Sequence, residues 1–398
     1  MLIPGRRLPT DAARRSLLAL FAATFAELAG LFMFGPLLLL TLKARGLDTA
    51  AIGAFAALQW AGLLAATPFA SAWVQRLGPR RALLVSGAVP LVTVTGMVVT
   101  GPMAGFLWWW APLYFVGGLA SALRWILAEA TVAELAPAER RGRVMGLFAM
   151  MIGLTFMAGP ALLSALLAAG IGLAAAGWVA VALVALGLLL LWPVHMPAPP
   201  PQQPSDSALV GWRGTWAALR AAPIVMLTGF VGGFFESGLA GLLPLYGLLL
   251  GFSAALSALL VSASGLGSTV LALVAGEGAD RLPVQRLRQA CAAACIAATL
   301  ALPLVPSWPP LAGLIAMVWG GAGAALYTLA MVQIGARHQG VALVNSTAVL
   351  VLAYTAGGML APAAGGVMLQ WSPGLGFPAL LLGVAALGLW GGAGTPRL

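Results

Sequence analysis

The sequence predicts an all-α integral membrane protein, built as twelve transmembrane helices in two pseudo-symmetric six-helix bundles. Composition is the first reason: 61% of the 398 residues are hydrophobic and only 8% are charged, whereas a soluble domain carries roughly a quarter charged residues. The second reason is that the apolar runs are long and unbroken, unlike the ~10-residue alternating segments of a membrane β-barrel. The third is that the runs fall into two similar sets of six.

Each predicted span is close to the ~20 apolar residues that cross the hydrocarbon core of a bilayer. Spans one to twelve are expected, in chain order, at 17–42, 50–74, 82–100, 106–133, 143–169, 171–194, 222–250, 254–276, 287–306, 309–335, 340–369 and 375–393. A secretory signal is the alternative for span one, because arginines precede it. That run is long, contains Glu27 and lacks a small-residue cleavage site, so a retained helix is favoured.

The net charge of +10 follows from where the basic residues lie. Of the 20 Lys and Arg residues, Arg124 lies within a span, and Lys43 and Arg45 lie between spans one and two. The others are assigned to the termini and to the loops that follow even-numbered spans. The positive-inside rule then predicts that both termini are cytoplasmic. The basic charge is therefore explained without a nucleic-acid partner.

A proline-rich polar stretch at 196–206 divides the twelve spans into two sets of six. It is typical of an extended linker. The predicted organisation is an N-terminal bundle at 1–195, a cytoplasmic linker at 196–221 and a C-terminal bundle at 222–398.

The two sets of spans repeat one pattern at an offset of about 202–208 residues. The matching positions are Pro36 and Pro244, Arg76 and Arg281, Gly117-Gly118 and Gly320-Gly321, and Gly159-Pro160 and Ala361-Pro362. Duplicated six-helix halves are a transporter architecture, in which substrate binds near the midplane between the halves.

The two halves, the central linker and the charged loops resemble the major facilitator superfamily, along essentially the whole chain. The family's loop signature is Gly-x-x-x-Asp-Arg-x-Gly-[Arg/Lys]-[Arg/Lys]. The 2–3 loop keeps Arg76, Gly78 and Arg80 but has Ser71 and Gln75 in place of the first Gly and the Asp. The 8–9 loop supplies the other part of the signature, as Gly276, Asp280 and Arg281. The resemblance implies that these two loops form a cytoplasmic gate.

Span five carries Gly159-Pro160, which is similar to the Gly-Pro motif of the family's proton-coupled exporters. The sequence around Arg124 and Glu129 is similar to a bacterial twelve-helix branch of the family. These resemblances imply a monomeric protein of the bacterial inner membrane that exports its substrate.

Four ionisable residues lie deep inside predicted spans: Glu27 in span one, Arg124 and Glu129 in span four, and Glu236 in span seven. Each costs about 2.5–3.5 kcal/mol to insert, so such residues are functional candidates by default. The resemblance implies that spans one, four, seven and ten line a central cavity, and all four charges lie on three of these spans. Tyr327 of span ten is a further candidate, because the repeat places it at the position equivalent to Arg124.

A role for each charge follows from its chemistry. A carboxylate shielded from water can take up and release a proton, which favours Glu27 and Glu236. Arg124 stays charged and needs a carboxylate or an anionic substrate group as its partner. Glu129 is five residues away, about 140° around the helix, so we expect the partner to be Glu27 or Glu236. Protonation of that partner would free Arg124 and switch the transporter. The alternative is that the charges are contacts that orient helix packing.

No enzyme is predicted, because His195 and His338 are far apart and no residue set has metal-ligand spacing. No cofactor or metal is expected, and the chain lacks a phosphate-binding Gly-rich loop with a lysine. The predicted function is secondary active transport, with proton-coupled efflux of small amphipathic or organic compounds. The alternatives are proton-coupled import of an organic anion or sugar, and a non-transporting membrane sensor. The expected partners are the small-molecule substrate, protons and the lipid bilayer.

Overall fold

A computed structural model describes residues 10–137, 140–194, 219–220, 222–337 and 340–390. Spans one to six are the helices Thr10–Ala44, Thr49–Ala66, Pro79–Thr100, Phe106–Leu135, Arg141–Ala168 and Leu173–Leu191. Spans eight to twelve are Ala254–Ala279, Val284–Leu300, Pro310–Arg337, Gly340–Trp371 and Gly376–Trp390. A short helix, Ala70–Leu77, follows span two. The linker predicted at 196–221 lies outside the described residues, apart from 219–220.

Span seven was expected as one helix, and this expectation is wrong. It consists of Pro223–Gly233, a π-helical turn at Phe234–Gly238, and Leu243–Leu249. The two helices are bent by 59° at the break. Pro244 is the second residue of the new helix, where its missing N–H costs nothing because that group has no intrahelical acceptor.

In the part of the chain that the structure describes, ten helices are long and apolar enough to cross a membrane. The bent pair of span seven raises this number to eleven. Span twelve is a shorter apolar helix, Gly376–Leu389, and its predicted end at residue 393 lies outside the described residues. The all-α membrane fold is therefore confirmed, with one broken span and one short span.

The twofold repeat is visible in how the helices pack. Gly62 of span two lies against the backbone of Phe115 in span four, and Gly267 of span eight lies against Met317 in span ten. Gly118 and Gly320 make the reverse contacts at the same two crossings, against Gln59 and Ser264 respectively. A Cβ at any of these glycines would collide with backbone atoms, so small residues set how closely the helices approach.

The two bundles touch mainly along two helix pairs, spans two and eleven and spans five and eight, and the first pair closes one face of the molecule. We call the face with the loop of Asp48 the Asp48 face, and the opposite face, with most basic residues, the basic face. Near the Asp48 face, Gly53 of span two packs against Pro362 and Gly366 of span eleven. The Ala50 N–H donates to the Gln370 side chain at 3.1 Å in the same region. The bundles are thus in close contact at this face.

Toward the basic face, the second helix pair separates. The position of a Cβ on Gly153 of span five lies 2.5 Å from the Thr269 hydroxyl of span eight. Two turns nearer the basic face, on the same side of the helix, Gly146 has no neighbour within 4 Å of that position. Gly276, seven residues after Thr269, meets only Thr328 of its own bundle. Spans five and eight therefore diverge toward the basic face, and we call the space between the bundles on that side the cleft.

Candidate transport site

Arg124 and Glu27 form an ion pair inside the N-terminal bundle. The Arg124 Nε donates to Glu27 Oε2 at 2.7 Å, and its Nη2 donates to the Thr24 hydroxyl at 3.1 Å. The exposed fractions are 1% for Glu27 and 5% for Arg124. Span six approaches at Gly187, where a Cβ would lie 2.7 Å from that of Glu27. The pair is therefore sealed among spans one, four and six.

Of the two partners expected for Arg124, the structure selects Glu27. The pair is held by a single charged hydrogen bond, because Glu27 Oε1 and Arg124 Nη1 are buried without a hydrogen-bond partner in the part of the chain that is described. A bidentate pair would be the stronger arrangement.

Glu236 lies in the π-helical turn of span seven, within a cluster of hydroxyl groups. Ser268 of span eight donates to its Oε1 at 2.5 Å, and Tyr354 of span eleven donates to its Oε2 at 3.0 Å. The Tyr354 hydroxyl is also hydrogen-bonded to Ser237. Glu236 is only partly buried. Single π-helical turns inside helices are frequent at functional sites.

Tyr327 and Glu129 extend this cluster toward the cleft. The ring of Tyr327 lies 4.9 Å from that of Tyr354 in an edge-to-face arrangement. Glu129 of span four is exposed, and Trp125, one turn before it, is within hydrogen-bonding reach of its carboxylate. Tyr327 is close enough to interact electrostatically with both Glu129 and Glu236. Glu129 and Glu236 therefore approach Tyr327 from opposite bundles.

The expectation that one cavity gathers all the deep charges is wrong. The structure brings Glu236, Tyr327 and Glu129 to one region and encloses Glu27 with Arg124 in another. The backbone and Cβ of Glu27 pack on Gly187 of span six, and its carboxylate meets Arg124 of span four inside the same bundle. The sequence showed the depth of each charge but not the direction in which it points.

The predicted gate residues lie at the basic face. Arg76 and Arg80 are exposed, and Gly78 between them has a φ of 78°, a left-handed conformation that favours glycine. Asp280 and Arg281 are also exposed, directly after span eight.

Gly276 lies one helical turn before Asp280, inside span eight. The gating role of these six residues stays a prediction.

The predicted helix-break motif does not interrupt span five, which runs unbroken from Arg141 to Ala168 through Pro160. Gly159 instead packs against the backbone of span one, where its Cβ would lie 2.5 Å from the Ala29 carbonyl oxygen and 2.8 Å from the Met33 nitrogen. The glycine therefore allows spans one and five to approach closely.

Sequence reasoning missed two features. Ser268 was not a candidate, because a serine in a membrane helix is common and only the fold brings it to Glu236. Arg288 was counted with the 8–9 loop, yet it is 2% exposed inside span nine, where its Nη1 donates to Thr228 of span seven at 3.3 Å. The available signal was that the predicted span nine, at 287–306, already contains Arg288.

The fold and the site define a multi-pass membrane transporter of duplicated six-helix bundles. The family model described as Major Facilitator Superfamily matches residues 20–348. The chain belongs to this family, and it is a secondary transporter rather than an enzyme.

Named relatives agree on the family. The chain is 26% identical over 344 residues to the uncharacterized MFS-type transporter YcaD of Salmonella paratyphi A, covering 85% of each chain. It is 24% identical over 255 residues to the uncharacterized MFS-type transporter YfkF of Bacillus subtilis, covering 63% of this chain and 62% of that one.

Solved structures share the fold. A mutant form of the nucleoside transporter NupG superposes with a TM-score of 0.75 at 13% identity, over 96% of this chain and 98% of that chain. The D-xylose–proton symporter gives 0.72 at 14% identity, over 96% and 97%. At these identities the likeness concerns the fold alone.

Proposed function

We propose that this transporter couples the efflux of small amphipathic or organic compounds to proton movement, and that Glu236 takes up and releases the proton. The protein acts as a monomer in a bacterial inner membrane, with both termini cytoplasmic. The observation that carries the proposal is the placement of Glu236, a partly accessible carboxylate in the π-helical turn that directly precedes the break of span seven. Broken helices near the midplane are where transporters of this kind bind substrates and coupling ions.

The surroundings of Glu236 suit a group that changes its protonation state. An ionised carboxylate only accepts hydrogen bonds, whereas a protonated one also donates. Its partners Ser268 and Tyr354 are hydroxyl groups, which can donate or accept by rotating. Both states of Glu236 can therefore keep their hydrogen bonds, so neither state leaves a buried polar atom unsatisfied.

Glu27 is a poorer proton site. Its partner Arg124 stays charged, so protonation of Glu27 would leave a buried cation without a counter-charge. Breaking such a buried pair costs about 3–5 kcal/mol. This supports the second of the two roles considered for Glu27 and Arg124, a contact that orients the packing of spans one and four.

The direction of transport rests on two arguments. The Gly159-Pro160 motif resembles that of exporters in the family. The alternative, import of an organic anion, was based on a positive charge that Arg124 would present to the substrate. Arg124 is instead paired with Glu27, which neutralises its charge. The ionisable groups assigned to the cleft side, Glu129 and Glu236, are carboxylates and would repel an anion.

Proteoliposomes test this proposal. Fluorescent amphipathic dyes are first screened by thermal shift on the purified protein in acidic and alkaline buffer, since a bound ligand stabilises the folded state. The dyes that bind are then followed in vesicles with an acidified lumen. We expect accumulation against the dye gradient and its loss when a protonophore is added.

Glu236→Gln is expected to abolish proton-driven accumulation while dye exchange without a pH gradient continues. Glu277→Gln is the matched control, because Glu277 is an exposed carboxylate of span eight. Unchanged proton-driven accumulation in Glu236→Gln would contradict the assignment of the proton site.

A further inference from the structure

The carboxylate of Glu236 links two helices of the C-terminal bundle. Its Oε1 is bonded to Ser268 of span eight and its Oε2 to Tyr354 of span eleven. Spans eight and eleven are also the two helices that pack most extensively on the N-terminal bundle, against spans five and two. The Glu236 carboxylate is therefore hydrogen-bonded to both of the helices, spans eight and eleven, that make the main contacts with the N-terminal bundle.

In span eight, Ser268 is flanked by residues that touch span five. Thr269 follows it and contacts Gly153, whose Cβ position lies 2.5 Å from the threonine hydroxyl. Gly265, one turn earlier, packs against Phe156 with a Cβ position 2.9 Å from the carbonyl oxygen. If the hydrogen bond of Ser268 changes and span eight shifts, its contacts with span five at Gly265 and Thr269 change as well.

In span eleven, Tyr354 plays the corresponding part. Its ring lies 6.5 Å from that of Trp60 in span two. One turn further along the helix, Gly358 packs against the face of the same Trp60 ring, with a Cβ position 3.0 Å from it. The hydrogen bond from Tyr354 to Glu236 thus ends beside the crossing of spans two and eleven.

We propose that Ser268 and Tyr354 are positioning residues, through which the protonation of Glu236 changes how spans eight and eleven dock on the N-terminal bundle. This inference rests on the proposed proton site. With Glu236 ionised, both hydroxyls donate to it, and charge-assisted hydrogen bonds of this kind are about twice as strong as neutral ones. Protonation of Glu236 weakens both hydrogen bonds at once. It thereby shifts the equilibrium between the conformation open at the basic face and the one open at the Asp48 face. The two protonation states of Glu236 thus favour two different arrangements of spans eight and eleven. A two-state element of this kind can couple proton binding to the contact between the bundles.

Other titratable groups near Glu236 are few in the described residues. Tyr327 faces it from span ten and Tyr354 from span eleven, and Glu129 approaches Tyr327 from span four. Glu129 is the one carboxyl group among these three neighbours. The test therefore uses a Glu129→Gln background alongside the natural sequence.

Spin labels across the cleft measure the docking without any substrate. Leu147 of span five and Leu273 of span eight are exposed and lie on the basic-face side of the contact between Gly153 and Thr269. They are replaced by labelled cysteines after the native Cys291 and Cys295 are changed to Ala. We expect the distance distribution between the labels to shift when alkaline buffer is replaced by acidic buffer, with or without Glu129→Gln.

Ser268→Ala combined with Tyr354→Phe is expected to abolish this shift while substrate-free proton binding by Glu236, followed with a pH indicator dye, persists. The matched controls are Ser262→Ala, another buried serine of span eight, and Tyr246→Phe, a buried tyrosine that packs on Phe377. Both controls should keep the full shift. If the double variant does not fold, each single variant should lose part of the shift.

The outcomes separate the two proposals. A full shift in the folded double variant, or in both single variants, overturns the positioning role and leaves Glu236 as the proton site. A shift that survives Glu236→Gln, with proton binding unchanged, overturns the proposed proton site instead.

Discussion

Glu27 in span one and Val231 in span seven make similar helix contacts in the two bundles. They are 204 residues apart, and each faces a glycine of the sixth helix of its own bundle. Gly187 of span six packs on Glu27, and Gly388 of span twelve packs on Val231. The N-terminal bundle therefore holds a carboxylate where the C-terminal bundle holds an apolar side chain.

Arg124, the partner of Glu27, also has an apolar counterpart in the C-terminal bundle. The contacts of Gly118 and Gly320 set the offset between spans four and ten at 202 residues, which pairs Arg124 with the fully buried Leu326. The sequence comparison had paired Arg124 with Tyr327, one residue too far. One bundle thus packs Glu27 and Arg124 where the other packs Val231 and Leu326.

This equivalence predicts how the ion pair contributes to stability. Arg124→Leu alone leaves a buried carboxylate without its counter-charge, and we expect it to lower the free energy of unfolding by about 3–5 kcal/mol. The double variant Glu27→Val with Arg124→Leu replaces the buried ion pair with apolar side chains, and it should match the natural protein or exceed its stability by up to about 4 kcal/mol. Reversible unfolding in mild detergent measures both.

The double variant also separates structure from transport. Proton-driven transport should persist in it, because Glu236 and its hydroxyl partners are untouched. A stable double variant that no longer transports would assign the pair a role beyond packing.

A second prediction concerns the crossing of spans seven and ten. A Cβ on Gly323 would lie 2.5 Å from the backbone nitrogen of Glu236 and 2.8 Å from the Gly232 carbonyl oxygen. Gly323→Ala must therefore displace the π-helical turn, at a cost of about 1–3 kcal/mol for overpacking. We expect proton-coupled transport to fall with it. Gly313→Ala in the same helix meets no atom within 4 Å and should leave stability and transport unchanged.

Much of the fold could be predicted because it depends on composition and repetition. The apolar runs, the basic loops and the glycine pairs are local patterns, and within the described residues they placed a helix in every span other than span seven. The helix of span two ends at Ala66, however, and not at the predicted residue 74. The break in span seven was missed because Pro244 alone does not distinguish a break from a continuous helix. Span one, for example, runs unbroken through Pro36.

The site was harder to predict, because it depends on which way each side chain points. Glu27 and Glu236 lie at similar depths, yet one faces Gly187 and the other faces Ser268 and Tyr354. In spans that are apolar on all sides, no amphipathic pattern reveals which side faces the cleft. The hydroxyl partners of Glu236 come from helices distant in sequence, so only the folded arrangement identifies them.

A third prediction explains a basic residue on the Asp48 face. The guanidinium of Arg45 lies 4.2 Å from the ring centre of Phe106 and 5.0 Å from that of Trp110. Cation–π contacts of this kind contribute about 0.5–2 kcal/mol. Arg45→Gln should lower stability by this amount in thermal unfolding. Lys43→Gln, two residues earlier, removes the same charge without these rings, and an equal loss there would show that charge alone matters.

The last prediction concerns the closed face. Gly53 meets Pro362 and Gly366 of the other bundle, and a Cβ on Gly53 would collide with their backbone, at the Pro362 carbonyl oxygen and at 2.8 Å from the Gly366 Cα. Gly53→Val cannot be accommodated while this contact is closed, so the balance should move toward a conformation that is open at the Asp48 face. The fold of each bundle should be kept, because the collision lies between bundles rather than within one.

Thiol accessibility measures this shift. A cysteine placed at Ala50, whose N–H bonds to Gln370 at the closed contact, should react faster with a water-soluble maleimide in the Gly53→Val background than in the natural one. Native Cys291 and Cys295 are first replaced by Ala. Gly35→Ala is the control, because nothing lies within 4 Å of its Cβ position, and it should leave the rate unchanged. Equal rates in Gly53→Val and the natural background would mean that the contact between spans two and eleven does not hold this face closed.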